Sequence, residues 1–317
     1  MQANRLAVGV VGVGYLGRFH ALIHARHPDV ELIGVADTDL DTARKVAAEV
    51  GCEAFSDAAD LVARVEAVSI VVPTTAHLAV ARLCLDRGIH VLLEKPIAAT
   101  VGQGREIVEA AERAGVILQI GHLERFNAGV MTLAGRIHSP RFIEAHRMSP
   151  FLARATDVDV ISDLMIHDID IVLSLIDSDI AHISAAGTAV LTKHIDIANA
   201  RLEFSNGAVA NVIASRVSRE KMRRVRVFEP HRYQSLDFIA QRLDIAYPKE
   251  RPGQPWPEIV TESLAITPVK PLDAEIDAFV HSVANGAPPL VSGQVGLRAL
   301  EVALEVKKKI EAAAPPA

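Results

Sequence analysis

The sequence has little cysteine, few aromatic residues and no excess of positive charge, and each shortage removes a class of protein. Its 317 residues include two cysteines, Cys52 and Cys84, in no metal or redox spacing. A disulfide-stapled scaffold is therefore excluded, and a reducing cytoplasm is the expected location. Aromatic residues make up 4% of the chain, and 33 lysines and arginines face 39 aspartates and glutamates, a net charge of −6. Neither a basic balance nor aromatic interleaving is there to bind nucleic acid. No apolar run approaches the roughly 18 residues of a membrane span, so no membrane partner is expected. The first apolar stretch, Leu6–Val13, is short, broken by glycine and lacks a cleavage site, so it is not expected to act as a signal peptide. What is present is an ordinary folded composition, 50% hydrophobic and 23% charged, with length for about two domains.

Up to residue 121 one cadence repeats: a short apolar run, turn residues, then a helical pattern. The pattern predicts strands at Leu6–Val11, Glu31–Ala36, Cys52–Phe55, Ala67–Val72, His90–Leu93 and Val116–Ile120. Helices are predicted at Asp41–Val50, Ala76–Arg87 and Gly102–Ala114, each followed by a glycine able to cap it. Strands alternating with helices mean a parallel sheet covered on both faces, so 1–121 reads as a doubly wound Rossmann domain of α/β class. The cadence then breaks. A helix is predicted around Val160–Ile176, with longer strands at Arg141–Met148, Ile183–Leu191, Asn199–Phe204, Ala208–Ser215, Met222–Phe228 and Tyr233–Ile245. Two helices, Asp273–Asn285 and Val295–Glu311, close the chain. Residues 122–317 thus read as an α+β domain with a large, mostly antiparallel open sheet. Pro248, Pro252, Pro255 and Pro257 mark an exposed connection, and the Ala-Ala-Ala-Pro-Pro-Ala tail is expected to fray.

Gly12-Val-Gly14-Tyr-Leu-Gly17 matches G-x-G-x-x-G between an apolar strand and a helical segment, the context that gives the motif its meaning. Gly12 would make the tight turn, Gly14 would let a pyrophosphate approach the backbone, and Gly17 would let helix and strand pack closely. Asp37 ends the second strand, about 20 residues on, where a carboxylate accepts from ribose hydroxyls. Asp39 and Asp41 beside it disfavour a 2′-phosphate, so the expected cofactor is NAD rather than NADP. The alternative is a glycine-rich turn with a solvated acidic loop.

Three further motifs follow in order: Glu94-Lys95-Pro96 after the fifth strand, Gly121-His-Leu-Glu-Arg125-Phe-Asn127 after the sixth, and Asp163-Leu-Met-Ile-His167-Asp168 in the second domain. With the glycine loop they resemble the glucose–fructose oxidoreductase/inositol dehydrogenase (Gfo/Idh/MocA) family over essentially the whole chain. Within that family, the RFN run, the DLMIHDID segment and PLDAEIDAF resemble UDP-sugar 3-dehydrogenases, UDP-N-acetylglucosamine 3-dehydrogenases among them. The chain departs from the family pattern at Ala128, at Val158-Asp159 and at Pro73-Thr74, where proline, paired glycines and Pro-Asn are common. The resemblance implies NAD contacts from Tyr15, Leu16, Pro73, Thr74, His77, Glu94 and Lys95 besides Gly12, Gly14, Gly17 and Asp37. It also implies substrate contacts from Lys95, Arg125, Asn127, Asp163 and His167, a nucleotide-sugar substrate, and a homodimer or homotetramer built on the second domain.

Oxidising an alcohol requires a base for the hydroxyl proton and a hydride acceptor at the same carbon. An imidazole titrates near working pH, which suits His167 to the first task. Asp163 stands four residues earlier and shares its helical face. Lys95 ends a parallel strand, where ligands bind in such sheets, and its ammonium can favour developing alkoxide character. The bland readings are a solvated lysine and a packing histidine. His20, His24 and His27 share a helical face, and Asp163, His167, Asp168 and Asp170 cluster, yet no metal is expected when Lys95 can serve as electrophile. The run Arg216, Arg219, Lys221, Arg223, Arg224 and Arg226 reads either as a solvated or subunit-facing strand or as a contact to a nucleotide diphosphate. The expected reaction is NAD-dependent oxidation of a sugar secondary alcohol, at C3 of a UDP-N-acetylhexosamine. A free-sugar or cyclitol dehydrogenase and an NAD-sensing regulator are the alternatives.

Overall fold

The computed structural model describes residues 5–152 and 158–313. Its first stretch contains strands β1 (Leu6–Val11), β2 (Val30–Ala36), β3 (Glu53–Phe55), β4 (Ala67–Ile70), β5 (His90–Glu94) and β6 (Leu118–Gly121). Helices α1 (Tyr15–Arg26), α2 (Leu40–Val50), α3 (Ala58–Val62), α4 (His77–Leu85) and α5 (Val101–Ala114) alternate with them. The six strands are all parallel in the order β3-β2-β1-β4-β5-β6, which places the switch point between β1 and β4. Every residue of β4 is buried, as expected of a strand covered on both faces. Asp39 caps α2 by accepting from the Asp41 and Thr42 amides, and Thr100 caps α5 by accepting from Gln103.

Next come α6 (Ala128–Ala134), β7 (Phe142–Met148), α7 (Ile166–Leu175), β8 (Ile180–Thr188), β9 (Ile197–Phe204), β10 (Val209–Ser215), β11 (Met222–Glu229), β12 (Arg232–Asp237), β13 (Arg242–Lys249) and β14 (Glu258–Ala265). They form an eight-stranded sheet in the order β14-β13-β12-β11-β7-β10-β9-β8, antiparallel except where β7 meets β10. The stretch Tyr233–Ile245, expected as one strand, is a hairpin of β12 and β13. Asp237 accepts from the Ile239 and Ala240 amides at 2.9 Å each, and Gln241 takes the left-handed conformation. β8 stops at Thr188, short of the expected Leu191. Asp196 collects the amides of Val190, Leu191 and Thr192 and pulls that segment into a turn. β14 was not expected, and Pro248 lies within β13 rather than in a loop.

Two helices close the chain, α8 (Pro271–Asn285) and α9 (Gly293–Ala313); the tail beyond α9 lies outside the described residues. The chain divides into two compact units. One comprises the chain through Leu123 together with Lys270–Leu300; the other comprises Glu124–Val269 and the chain from Glu301 onward. This corrects the expectation that everything after residue 121 belongs to the second domain. The cause is burial: Ile276, Phe279 and Val280 of α8 join Val8, Ile23, Val30, Ala67 and Leu92 in one apolar cluster. Burying such side chains is worth about 1.5–3 kcal/mol each, which holds α8 on the parallel sheet. Among the described residues no helix is long and apolar enough to cross a membrane.

Candidate active site

In the first unit the glycine loop has the geometry its spacing predicts. Gly12 is left-handed with φ 84°, and a Cβ there would lie 2.5 Å from the Val71 carbonyl oxygen. A Cβ on Gly17 would lie 1.8 Å from the Gly12 carbonyl oxygen, so both positions need glycine for the fold itself. At Gly14 a Cβ would meet nothing within 4 Å, so packing among the described residues does not require glycine there. Gly14 is also the N-cap of α1 and offers no side-chain cap, leaving the amides of the first turn to an anion. Asp37 follows β2; its Oδ2 accepts from the Val13 amide at 2.9 Å and its Oδ1 from Asp39 at 3.0 Å. Gly12, Gly14, Asp37, Thr38, Ser56 and Pro73 line a cavity of about 500 Å³ at the carboxyl ends of β1, β2 and β4.

The other expected cofactor residues are not among those that line this cavity. Tyr15 and Leu16 are exposed in the first turn of α1. Thr74 opens a 3-10 turn after β4. His77 is buried, with Nδ1 2.9 Å from the Pro96 carbonyl and Nε2 3.0 Å from that of Val72. Burial pushes its pKa down, against the pull of those carbonyls, and the ring ties the loop after β4 to the loop after β5. Glu94 ends β5 and accepts from the Lys95 amide at 3.2 Å; Lys95 is half-buried, and the Lys95–Pro96 peptide is cis. The histidines of α1 are used in packing: His20 meets Glu94, His24 meets Ser69 and His27 meets Asp277.

The second unit carries the acid–histidine motif. Residues Ile161–Met165 form a π-helical turn that leads directly into α7. Asp159 starts it by accepting from the Ser162 amide at 2.8 Å, and Lys307 holds Asp159 at 2.9 Å. Asp163 lies in this turn and His167 opens α7, both half-buried. Beside them Asp168 and Arg147 are buried and paired in a fork, Nε to Oδ2 at 2.7 Å and Nη2 to Oδ1 at 2.9 Å. Arg147 Nη1 also donates to Glu124 at 2.9 Å, as does Arg223 Nη2. Burial would push Glu124 up, but Arg147 and Arg223 hold it below the usual carboxylate range.

Arg125 and Asn127, expected at the substrate, have structural partners. Arg125 reaches Asp170 at 3.3 Å, and Asn127 caps α6 by accepting from Gly129 at 2.9 Å. Four of the six cations in the basic run have carboxylate partners: Arg216 pairs with Asp196, Arg223 with Glu124, Arg224 with Asp237 and Arg226 with Glu144. The network of Arg147, Glu124 and Asp168 was missed by sequence reading. Its signal was Arg147 in phase with Ile143 and Ala145, the inward-facing residues of β7.

Residues 6–122 match the oxidoreductase family with an NAD-binding Rossmann fold, and residues 130–229 match the Gfo/Idh/MocA C-terminal domain. The chain is 39% identical to UDP-N-acetylglucosamine 3-dehydrogenase of Acidithiobacillus ferrooxidans, over 97% of this chain and 98% of that one. The chain belongs to the Gfo/Idh/MocA family. The solved structure of the Acidithiobacillus enzyme superposes with a TM-score of 0.91 over 97% of this chain and 98% of that one. Inositol 2-dehydrogenase of Rubrobacter xylanophilus is 34% identical over 59% of this chain and 56% of its own. Scyllo-inositol dehydrogenase of Lactobacillus casei, 22% identical, shares the fold with a TM-score of 0.81 over 98% of each chain. As a Gfo/Idh/MocA oxidoreductase the chain uses NAD, and its residues fit that cofactor. The uncapped α1 amides suit a pyrophosphate, Gly14 lets it approach, and Asp37 suits a ribose.

Proposed function

We propose that this oxidoreductase removes hydrogen from C3 of a UDP-N-acetylhexosamine, UDP-N-acetylglucosamine in the first instance. The observation that carries the reading is the full-length likeness to a UDP-N-acetylglucosamine 3-dehydrogenase, supported by Lys95, Asp163 and His167 standing in their motifs. NAD supplies the hydride acceptor. Lys95 polarises the reacting oxygen from the end of β5, and His167 takes the hydroxyl proton. Asp163, one turn before His167, orients it. Gly12, Gly14, Gly17 and Asp37 hold the cofactor, with Tyr15, Leu16, Pro73, Thr74 and His77 shaping its surroundings. Arg125 and Asn127 act on the substrate through the loop they brace. The nucleotide half of the substrate supplies binding energy remote from the reacting carbon, so an unlinked sugar loses turnover as well as affinity. The protein works in the cytoplasm as a homodimer or homotetramer.

A second reading, a free-sugar or cyclitol dehydrogenase, is favoured by the likeness to inositol 2-dehydrogenase over 59% of the chain. An absorbance assay for NADH across UDP-sugars, free sugars and cyclitols separates the two. UDP-N-acetylglucosamine is expected to give the highest kcat/KM; equal values for free N-acetylglucosamine or inositol would establish the second reading. With the preferred substrate, His167→Asn lowers kcat by about 10²–10⁴. It leaves NAD affinity unchanged, because the glycine loop and Asp37 belong to the other unit. Lys95→Ala lowers kcat by about 10²–10³. The double variant falls short of the product of the two losses, since groups acting as a unit are not additive. Near-normal turnover in His167→Asn removes it as the base.

A further inference from the structure

The face of the parallel sheet beneath α1 and α8 holds a buried polar cluster that the reaction above does not use. Register places Ser69, Leu92 and Gln119 side by side on β4, β5 and β6, with Glu94 two residues beyond Leu92 on the same face. His20 and His24 come down from α1: His20 Nε2 lies 3.2 Å from Glu94 Oε1, and His24 Nε2 lies 2.8 Å from Ser69 Oγ. Glu275 comes from α8, next to Ile276 of the apolar cluster, and is 0% exposed. Its backbone carbonyl accepts from Gln119 Nε2 at 3.0 Å, whereas neither carboxyl oxygen has a hydrogen-bond partner among the described residues. Room for Glu94 is made by Gly121, where a Cβ would lie 2.9 Å from the Glu94 carboxyl group.

A carboxylate buried without a cation or donors is far more costly than the neutral acid. Among the described residues no lysine or arginine pairs with the Glu275 carboxyl. From β5 comes the Glu94 carboxyl. From α1 come His20, engaged with Glu94, and His24, whose pKa burial and its histidine neighbours push down to about 3. Further along α1, His27 faces Asp277, and Arg26 pairs with Asp273 at the start of α8. His90 accepts from the Ile117 amide at the opposite end of β5, His122 follows β6, and His281 lies two turns further along α8, beside Asn285. Burial first, and Glu94 second, push the Glu275 carboxyl well above the usual glutamate range.

We propose that Glu275 is a positioning residue, a neutral carboxylic acid whose proton lets it share one buried site with Glu94 and so fixes the end of β5. Glu94 accepts the Lys95 amide, so Glu275 acts on the reaction through Glu94 and the backbone that carries Lys95. This inference rests on the assignment of Lys95 to the reacting oxygen. Losing the proton would place two like charges in one buried site and drive Glu94, and with it Lys95, from its place. For a carboxyl whose folded-state pKa is raised, the stability contribution is full at low pH and is lost as pH rises toward the folded value. The lysine's positioning should fade in the same direction.

The test compares the full chain with Glu275→Gln, which keeps the shape and polarity but cannot ionise, and with Glu275→Leu, which cannot ionise and removes the polar group. Difference infrared spectra at neutral pH should show a protonated-carboxyl band in the wild type that Glu275→Gln lacks. Glu275→Gln should melt with the wild type near about pH 5 and about 2–4 °C above it near about pH 9. With UDP-N-acetylglucosamine and NAD, wild-type kcat should fall on the alkaline side while Glu275→Gln keeps its rate. Glu275→Leu, equally unable to take a charge, should likewise keep its rate on the alkaline side. A missing band, a pH-independent melting difference or a glutamine variant that does not fold overturns the proposal. An alkaline limb unchanged by glutamine, with the band present, overturns the positioning role. If no UDP-sugar reacts, the functional reading fails, while the infrared and melting results still decide the state of Glu275.

Discussion

Replacing Arg147 by methionine removes the cation at the centre of the buried network while roughly keeping its volume. Arg147 is 3% exposed and holds Asp168 through two bonds of 2.7 and 2.9 Å and Glu124 through one of 2.9 Å. Breaking a buried ion pair by deleting one partner costs about 3–5 kcal/mol. Glu124 keeps Arg223 at 2.9 Å, so Asp168 alone is stranded and one such penalty applies. Hydrogen exchange of the β7 and α7 amides should therefore quicken by about 10²–10⁴, at about 1.4 kcal/mol per tenfold. The pH dependence has a definite sign. Arg147 and Arg223 hold Glu124 below the usual range, so the stability they confer is present at neutral pH and lost on acidification. The gap between variant and wild type should accordingly narrow toward about pH 4, where carboxyls take up protons. Arg147→Met with Asp168→Leu should recover most of the loss, because an apolar pair can replace a buried ion pair at little cost. A change under about 1 kcal/mol in the single variant, or a double variant no better than the single, would refute the reasoning.

Gly14→Ala should fold with unchanged melting, since its Cβ meets nothing within 4 Å, yet lose NAD affinity about ten- to a hundredfold. Gly17→Ala, whose Cβ would lie 1.8 Å from the Gly12 carbonyl oxygen, should be impaired in folding itself; equal behaviour of the two variants in calorimetry would sink the distinction. Asp37→Ala should weaken NAD binding by about 1.5–3 kcal/mol and narrow its advantage over NADP, as titration of both cofactors would report. Tighter binding of NADP than NAD by the wild type would overturn that role. His24 stays neutral in the fold to about pH 3, against an ordinary 6.5, because burial and then His20 and His27 oppose its charge. Stability should therefore fall by up to about 1.4 kcal/mol per pH unit below the ordinary value. His24→Gln should flatten that limb in denaturant titrations, and an unchanged limb would show that another group sets it.

How much of this was legible depended on the range of the interaction. The six parallel strands stood out because a strand covered on both faces is a continuous apolar run, and β1 was read with its observed ends. Asp39 and Thr100 begin their helices through contacts two or three residues long. The acid–histidine spacing was also local, although the π turn at Ile161–Met165 was not visible in it. By contrast β14, exposed along most of its length, carries its apolar residues in no alternating phase that would betray it. The hairpin between β12 and β13 turns on Asp237 without the glycine that usually marks such a turn.

The sequence by itself determined the Rossmann unit, the cofactor loop and the order of the family motifs, because each is written in residues a few positions apart. Tertiary structure decided which distant partners meet. The apolar stripe of α8 announces a helix with one buried face, yet nothing in its periodicity says that the face covers Val8 and Leu92. The run of arginines from Arg216 to Arg226 has a charge but no address until β7, β12 and the turn at Asp196 bring carboxylates to it. Glu275 reads as one polar residue in an amphipathic helix until the fold buries its carboxyl near Glu94, without a hydrogen-bond partner among the described residues. Local pattern fixes backbone conformation through short-range sterics and hydrogen bonds. The state of a buried charge depends on the solvent and partners that only the closed core removes or supplies.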